Sequence, residues 1–173
     1  MAEQETTPTP AAERPDKRRT PPSGDRPTNF VLMEPGFIPP FDLVTAVSTV
    51  AFTEDGSIVA TEENRGPDLP GGHVQEGEET AEATARREAL EEAGIKFGSL
   101  HFLRAIQSDR YGTEPGDLTY MVIMCGIASE LGGVPQGMTR HILTPEEFFL
   151  VHRGLRREMV RTLVLEGQKL LFA

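Results

Sequence analysis

The segment formed by residues 71–95, GGHVQEGEETAEATARREALEEAGI, constrains the fold of this chain more than any other part of the sequence. No proline interrupts it, and Ala, Glu, Arg and Leu dominate from Ala81 to Ala93. These residue types are strong helix formers. Gly94 suits the position just after a helix, where the backbone turns left-handed. The segment therefore predicts a glycine-rich loop followed by a helix that ends at Gly94.

One face of the predicted helix carries three carboxylates, Glu88, Glu91 and Glu92, because residues three and four positions apart lie on the same side. The opposite face, which we expect to be buried, carries Ala83, Leu90 and Ala93. Carboxylates this close repel one another, and one exposed pair with Arg87 offsets only about 0.3–0.5 kcal/mol. A divalent cation offsets the repulsion better, since Mg²⁺ prefers oxygen ligands. The alternative is a solvated acidic face that binds nothing.

The glycines before the helix favour the metal-binding interpretation. Gly71, Gly72 and Gly77 allow backbone geometry that is closed to other residues. They let the loop fold back over the start of the helix. Main-chain groups of the loop can then come close to a phosphate or a metal ion.

This loop and helix resemble the Nudix box, in which Gly is followed after five residues by Glu and, seven residues later, by Arg-Glu-apolar-any-Glu-Glu-any-Gly-apolar. Residues 87–95 match the second half throughout, and residues 70–74 match the usual opening. The spacing departs from the pattern at one point, because eight residues rather than seven separate Glu78 from Arg87. Either Glu78 or Glu79 can therefore fill the first Glu position.

The resemblance implies a mixed α/β fold, an α/β/α sandwich with a mixed sheet between helices. It also implies metal-dependent hydrolysis of a pyrophosphate bond in a nucleoside diphosphate linked to another moiety, such as a dinucleoside polyphosphate, a nucleoside triphosphate or a nucleotide sugar. The implied cofactor is Mg²⁺ or Mn²⁺. The implied metal ligands are Glu88, Glu91, Glu92 and the Gly72 carbonyl, with Arg87 as the residue that orients these catalytic carboxylates.

Substrate contacts have two candidates, Arg65 and Tyr111. Tyr111 lies 16 residues after Ile95, an offset similar to that of a tyrosine in the family's dinucleoside-polyphosphate hydrolases, and its ring could stack on a base. Packing of the tyrosine against its own loop is the alternative. A carboxylate outside the box has three candidates, namely Glu114, Asp117 and Glu130.

A second function is also open, that of a catalytically inactive Nudix-fold module that binds a nucleotide or regulates a partner. The extra residue between Glu78 and Arg87 motivates it. A shifted first helical turn could misplace the Gly72 carbonyl, and catalysis is sensitive to such displacements. All the carboxylates of the second half of the box are nevertheless present.

The net charge of −10 argues against nucleic acid as the main partner. Residues 71–95 carry seven Glu against two Arg, which accounts for half of that charge, and no basic stripe is visible. The natural partner of such a site is a nucleotide-type phosphate already bridged by metal.

No run approaches the roughly 20 apolar residues of a membrane span. Cys125 is the only cysteine, which fits a reducing compartment, so we expect a cytoplasmic protein. A homodimer is compatible with the resemblance.

The chain divides into a tail and one domain. Residues 1–28 contain six prolines, balanced charges and no aromatic residue, so we expect a disordered tail. Residues 29–173 form the predicted Nudix domain. Val44–Phe52 and residues 100–106 and 120–128 are predicted strands, the last of them central.

Shorter signals predict turns and helix ends. Asp55-Gly56 indicates a β-hairpin turn, and residues 64–70 are predicted to be a loop. Thr144-Pro145 has the sequence of a helix start. An amphipathic helix is expected over residues 155–167.

Overall fold

The computed structural model describes residues 29–109, 117–154 and 157–173. These residues form a sheet with one helix on one face and two helices on the other, so the predicted α/β/α sandwich is confirmed. The strands of the described chain are β1 (Phe30–Leu32), β2 (Val44–Phe52), β3 (Ile58–Glu63), β4 (Gly66–Asp68), β5 (Gly71–His73), β6 (Ile95–Phe97), β7 (His101–Ser108), β8 (Thr119–Leu131) and β9 (Arg140–Leu143). The helices are α1 (Ala81–Ala93), α2 (Pro145–Val151) and α3 (Arg157–Phe172), preceded by a 3₁₀ turn at Phe41–Leu43.

The sheet is mixed, as predicted. Its strand order is β1-β7-β8-β2-β3-β4, with β5 beside β2, β9 beside β3 and β6 beside β8. The central strands β2 and β8 run parallel, whereas the other described pairings are antiparallel. The predicted central position of β8 is therefore confirmed.

Strand β2 shows how the sequence builds both layers of the core. Its side chains alternate between the two faces of the sheet. Val50 and Phe52 pack with Phe148 of α2 and with α3. Val47 and Ala51 pack on the other face, against α1 and the segments beside it. A strand that is buried on both faces reads as a nearly continuous apolar run, which is why its bounds were predictable.

Helix α1 begins and ends where the sequence predicts. Thr80 caps its first turn by accepting a hydrogen bond from the Ala83 N–H at 3.1 Å. Gly94 ends it with a φ of +63°, in the left-handed region.

The predicted buried face of α1 is wrong in part, because only Ala93 of its three residues is buried. Ala83 is exposed, and Leu90 is 46% exposed. Beside Ala93, the residues that face the sheet are Thr84, Ala85 and Ala89. The helix packs closely against the strands, so its inner stripe is built from small side chains, and the larger Leu90 points to solvent. The carboxylate face therefore borders the buried stripe and does not lie opposite to it.

Other local predictions have mixed outcomes. The hairpin turn at Asp55-Gly56 joins β2 to β3, and the helix start at Thr144-Pro145 is a capping box that Glu147 completes. The predicted loop of residues 64–70 is wrong in part, because it contains β4, which pairs with β3. The last helix extends to Phe172, beyond the predicted end.

Some predictions fall on residues outside the described ranges, namely those for residues 1–28, Tyr111 and Glu114. Within the described ranges, the helices are too short or too polar to cross a membrane.

Candidate active site

Arg87 of α1 connects the loop before the helix to the carboxylates on it. Its side chain is only 19% exposed. Nε donates to Glu78 Oε1 at 2.7 Å, and Nη2 donates to the His73 carbonyl at 2.9 Å. Nη1 donates to Glu88 Oε1 at 2.7 Å and to Glu91 Oε2 at 3.0 Å. Burial alone would lower the pKa of Arg87, but Glu78 and Glu88 raise it, so the guanidinium stays charged.

Of the two candidates for the first Glu position of the box, Glu78 and not Glu79 contacts Arg87. Its Oε2 also accepts hydrogen bonds from the Gln75 N–H and the Thr84 hydroxyl, both at 2.8 Å. Burial would raise the pKa of Glu78, but these hydrogen bonds and that from Arg87 lower it below its ordinary value. Glu79 is exposed. The longer spacing between Glu78 and Arg87 therefore does not separate the two side chains.

Glu92 lies on the same helix face, one turn after Glu88, and accepts a hydrogen bond from the Gly71 N–H at 2.9 Å. Burial, and to a smaller extent the negative charges of Glu88, Glu63 and Asp68, raise the pKa of Glu92 to about 7, against the hydrogen bond from the Gly71 N–H. The carboxylates around Glu92 thus concentrate negative charge in a partly buried site.

Glu63 and Asp68 were not among the predicted site residues. They belong to the β3–β4 hairpin, which delivers the chain into β5 just before the box. The three acids named as candidates do not replace them: Glu130 pairs with Lys96 at 2.9 Å, Asp117 does not line the cavity next to the carboxylates, and Glu114 is outside the described residues. The one sequence signal that could have indicated the β3–β4 hairpin is a turn in the segment directly before the box.

Two adjacent glycines let the loop pack beneath these carboxylates. A Cβ on Gly72 would overlap the carboxylate of Glu88. A Cβ on Gly71 would overlap the Val47 carbonyl and Ser48 of β2. Strand β5 can therefore pair with β2 and still lie against α1 only because both residues lack a side chain.

A cavity of about 350 Å³ opens beside this cluster, between the sheet and α3. Arg65 lines it, with a side chain that is 60% exposed and a nitrogen 4.0 Å from Asp68 Oδ2. The predicted substrate contact Arg65 thus lies at the cavity, whereas Tyr111 is outside the described residues. The cavity is lined by Phe30, Ala46, Val47, Ser48, Glu63, Arg65, Asp68, Leu69, Gly71, Gly72, His73, Glu92, Ile106, Met121, Ile123, Met159, Val160 and Leu163.

The chemistry of the donor set fits a hard divalent cation. Carboxylate oxygens and a main-chain carbonyl are the ligands that Mg²⁺ and Mn²⁺ prefer, and Gly72 lies directly against Glu88. In the described part of the chain, no three acidic or histidine side chains converge on one point as they stand. Arg87 engages Glu88 and Glu91. It contacts one oxygen of each carboxylate, Oε1 of Glu88 and Oε2 of Glu91, so the second oxygen of each can contribute to an ion shared with Glu92.

Comparison with known proteins gives the family. The NUDIX domain model matches residues 42–162, which is more than half of the chain. A search of curated protein sequences finds no match. Among solved structures, a mutant of the Bacillus subtilis pyrophosphohydrolase BsRppH has 23% identity and a TM-score of 0.57, over 82% of this chain and 89% of that one.

Two further structures share the fold. A MutT structure from work on Aliivibrio salmonicida and Vibrio cholerae has 20% identity and a TM-score of 0.52, over 69% of this chain and 93% of that one. A NUDIX hydrolase from Nitrosomonas europaea has 19% identity and a TM-score of 0.53, over 73% and 89%. Because the family model covers residues 42–162, including the box, this protein belongs to the NUDIX family and is a Nudix hydrolase.

Proposed function

We propose that this protein hydrolyses a pyrophosphate bond in a nucleoside diphosphate linked to another moiety, with Mg²⁺ or Mn²⁺ held by Glu88, Glu91, Glu92 and the Gly72 carbonyl. The observation that carries the proposal is the position of the acidic cluster. Of the candidate metal ligands, Glu92 and Gly72 line the cavity, next to Gly71. A substrate there would have its phosphates beside the candidate metal ligands and its organic part between the sheet and α3.

The bound ion would neutralise phosphate oxygens and help to generate hydroxide from water. The protein residues have separate roles in the proposal. Arg87 holds Glu88 and Glu91 on the side of the helix that faces the loop. The Gly71 N–H fixes Glu92. A carboxylate of this cluster is also the group that can accept the proton of the attacking water.

Arg65 and Tyr111 are the proposed substrate contacts. Arg65 is exposed at the cavity mouth, and its link to Asp68 is long enough, at 4.0 Å, to be exchanged for a phosphate oxygen. Tyr111 keeps its predicted role of stacking on a base.

The experiment is hydrolysis of a panel of dinucleoside polyphosphates, nucleoside triphosphates and nucleotide sugars, each with Mg²⁺ and with Mn²⁺. We expect turnover of one class, abolished by chelator. Glu92→Gln should lower kcat by about 10²-fold or more, because it removes a charged ligand. Glu130→Gln, an exposed acid on β8, is the matched control and should keep full activity. Turnover that survives both the chelator and Glu92→Gln overturns the proposal.

The second candidate function is a module that binds nucleotide without turnover. The extra residue between Glu78 and Arg87 favours it, whereas the intact contact between these side chains argues against it. Calorimetric binding of Mn²⁺ or nucleotide, combined with a complete absence of turnover across the panel, would favour the module over the hydrolase.

The remaining proposals concern context. The partner is a small nucleotide-type molecule and not a nucleic acid, the location is cytoplasmic, and the catalytic domain spans residues 29–173. Sedimentation equilibrium of the full chain tests whether the protein forms a homodimer.

A further inference from the structure

The cavity crosses the sheet from the acidic cluster toward β7. Strand pairing places His73, Ala46, Met121 and Ile106 in one row over β5, β2, β8 and β7. All four line the cavity. Neighbouring strands are about 4.8 Å apart, so this row is roughly 14 Å long. The cavity therefore has one end at the carboxylates and another end well away from them.

Among the described lining residues, the polar ones are confined to the first end. The segment from β3 to β5 contributes Glu63, Arg65, Asp68 and His73, and α1 contributes Glu92, which accepts a hydrogen bond from the Gly71 N–H. Ser48 is the neighbour of Gly71 on β2, and its hydroxyl donates to the Pro70 carbonyl at 3.2 Å.

The described residues that line the far end are apolar. Among the described lining residues beyond β2, no side chain is a strong hydrogen-bond donor or acceptor. These residues are Phe30, Ile106, Met121, Ile123, Met159, Val160 and Leu163. A phosphate placed there would lose its hydration without a partner. A flat ring would instead gain apolar contact, including contact with the two methionine sulfurs.

We infer that the base of the nucleotide occupies this apolar end and is selected by its size and not by the hydrogen-bonding groups on its edge. The inference rests on the proposed function and specifies its substrate class: purine nucleotides, with little discrimination between adenine and guanine. An apolar pocket separates isosteric ligands by about 10²-fold at most, whereas a site that hydrogen-bonds the distinguishing group separates them by about 10⁴-fold or more.

The test compares three ligands that share the ribose diphosphate and differ at the base, namely ADP, GDP and ribose 5-diphosphate. Equilibrium binding to the full chain is measured with Mg²⁺ present. ADP and GDP should bind within about tenfold of each other, and the baseless analogue at least about tenfold more weakly. Adenine and guanine have the same ring system, so their comparison isolates the effect of the edge groups.

Val160→Phe and Leu165→Phe form a matched pair on α3. Val160 lines the cavity, whereas Leu165 lies on the same helix, is 49% exposed and does not line it. Val160→Phe should raise the Kd of ADP and GDP about tenfold and leave that of ribose 5-diphosphate within about twofold, because it fills only the base end. Leu165→Phe should change none of the three.

Three results would overturn the inference: an ADP-to-GDP ratio above about 10²-fold, equal or absent binding of all three ligands, or the same effect from both α3 variants. Hydrolysis of the panel is followed in parallel. Turnover with a large ADP-to-GDP ratio overturns only the inference. The expected binding pattern without any turnover overturns only the proposed function.

Discussion

Gly72 shows how a single residue without a side chain shapes the site. The atom that a Cβ on Gly72 would meet belongs to the flexible end of Glu88 and not to the backbone. The carboxylate can therefore move away without unfolding the sheet. Activity and stability should respond differently to a substitution here.

Gly72→Ala is expected to lower kcat/KM by about 10²-fold, because catalysis is sensitive to displacements of about an ångström. The free energy of unfolding should change by less than about 1 kcal/mol, since Glu88 moves and the strand does not. Steady-state kinetics and urea denaturation measure the two quantities. Gly133→Ala is the control, because a Cβ there has no atom within 4 Å. Equal activity of the two variants would contradict this account of Gly72.

Glu92 makes the metal-free protein sensitive to pH. The pKa of Glu92 is raised to about 7 in the folded state, mainly by burial. The folded protein therefore binds a proton that the unfolded chain releases at about pH 4.5, and the stability that this proton contributes is lost as pH rises from about 4.5 to 7.

In the presence of chelator, the free energy of unfolding of the wild type should therefore fall relative to that of Glu92→Gln over this window and stay level above it. By pH 8 the free energy of unfolding of the wild type should have fallen by about 1 kcal/mol relative to that of Glu92→Gln. This is less than the full pKa shift implies, because the Glu92 side chain is only partly buried. Urea denaturation at pH 5, 6, 7 and 8 measures it. Parallel pH profiles for the two proteins would refute the prediction, and Glu130→Gln should follow the wild type.

At the scale of elements, α1 is the part of the fold most fully determined by local sequence. Thr80 and Gly94 set its two ends, and both act through contacts within a few residues. Gly94 has a second constraint, because a Cβ there would overlap the carbonyl oxygen of Gly133. That oxygen belongs to the backbone after β8 and cannot turn away as a side chain does.

Gly94→Ala should destabilise the protein by about 2 kcal/mol or more, from the left-handed backbone and from this contact. Gly36→Ala separates the two effects. Gly36 also has a positive φ, +84°, but a Cβ there has no atom within 4 Å, so its substitution should cost only about 1 kcal/mol. Chemical denaturation of both variants is the measurement. Equal losses would show that the Gly133 contact contributes nothing.

The elements that could not be predicted are those that depend on distant partners. Strands β4 and β5 have three residues each, contain Gly or Pro, and have little strand propensity of their own. They are strands because β3 and β2 present edges to them. The buried stripe of α1 was predicted correctly only at Ala93 for a similar reason, since the distance to the sheet selects alanine over Leu90.

The site divides in the same way. The carboxylates of α1 and their contact with Arg87 follow from a helical repeat and a known motif. Glu63 and Asp68 approach Glu92 only because β4 folds back on β3 and β5 then pairs with β2. No regular spacing in the sequence indicates how the chain runs from β3 to β5. Resemblance to a motif could therefore identify the carboxylates of α1 but not Glu63 and Asp68.

At the scale of the whole molecule, a partly buried ion pair joins three separate segments around the cavity. Arg104 of β7 donates from Nη1 to Glu166 of α3 at 2.6 Å and from Nε to the Met33 carbonyl at 3.0 Å. The same helix supplies Met159, Val160 and Leu163 to the cavity. The segment after β1 is thereby connected to the helix that closes the site, which indicates that the folded domain needs β1.

This connection gives a test of the proposed domain boundary. Removal of residues 1–28 should leave the melting temperature within about 1 °C and kcat/KM within about twofold, because a segment of this composition buries too little apolar surface to contribute to folding. Removal of residues 1–33 also deletes β1, with Phe30 that is only 6% exposed, and the Met33 carbonyl that accepts from Arg104. It should destabilise the protein by about 3 kcal/mol or more. Thermal unfolding of the two truncated chains, with turnover assayed in parallel, measures both effects. Equal losses of stability in the two chains would contradict a domain boundary at residue 29.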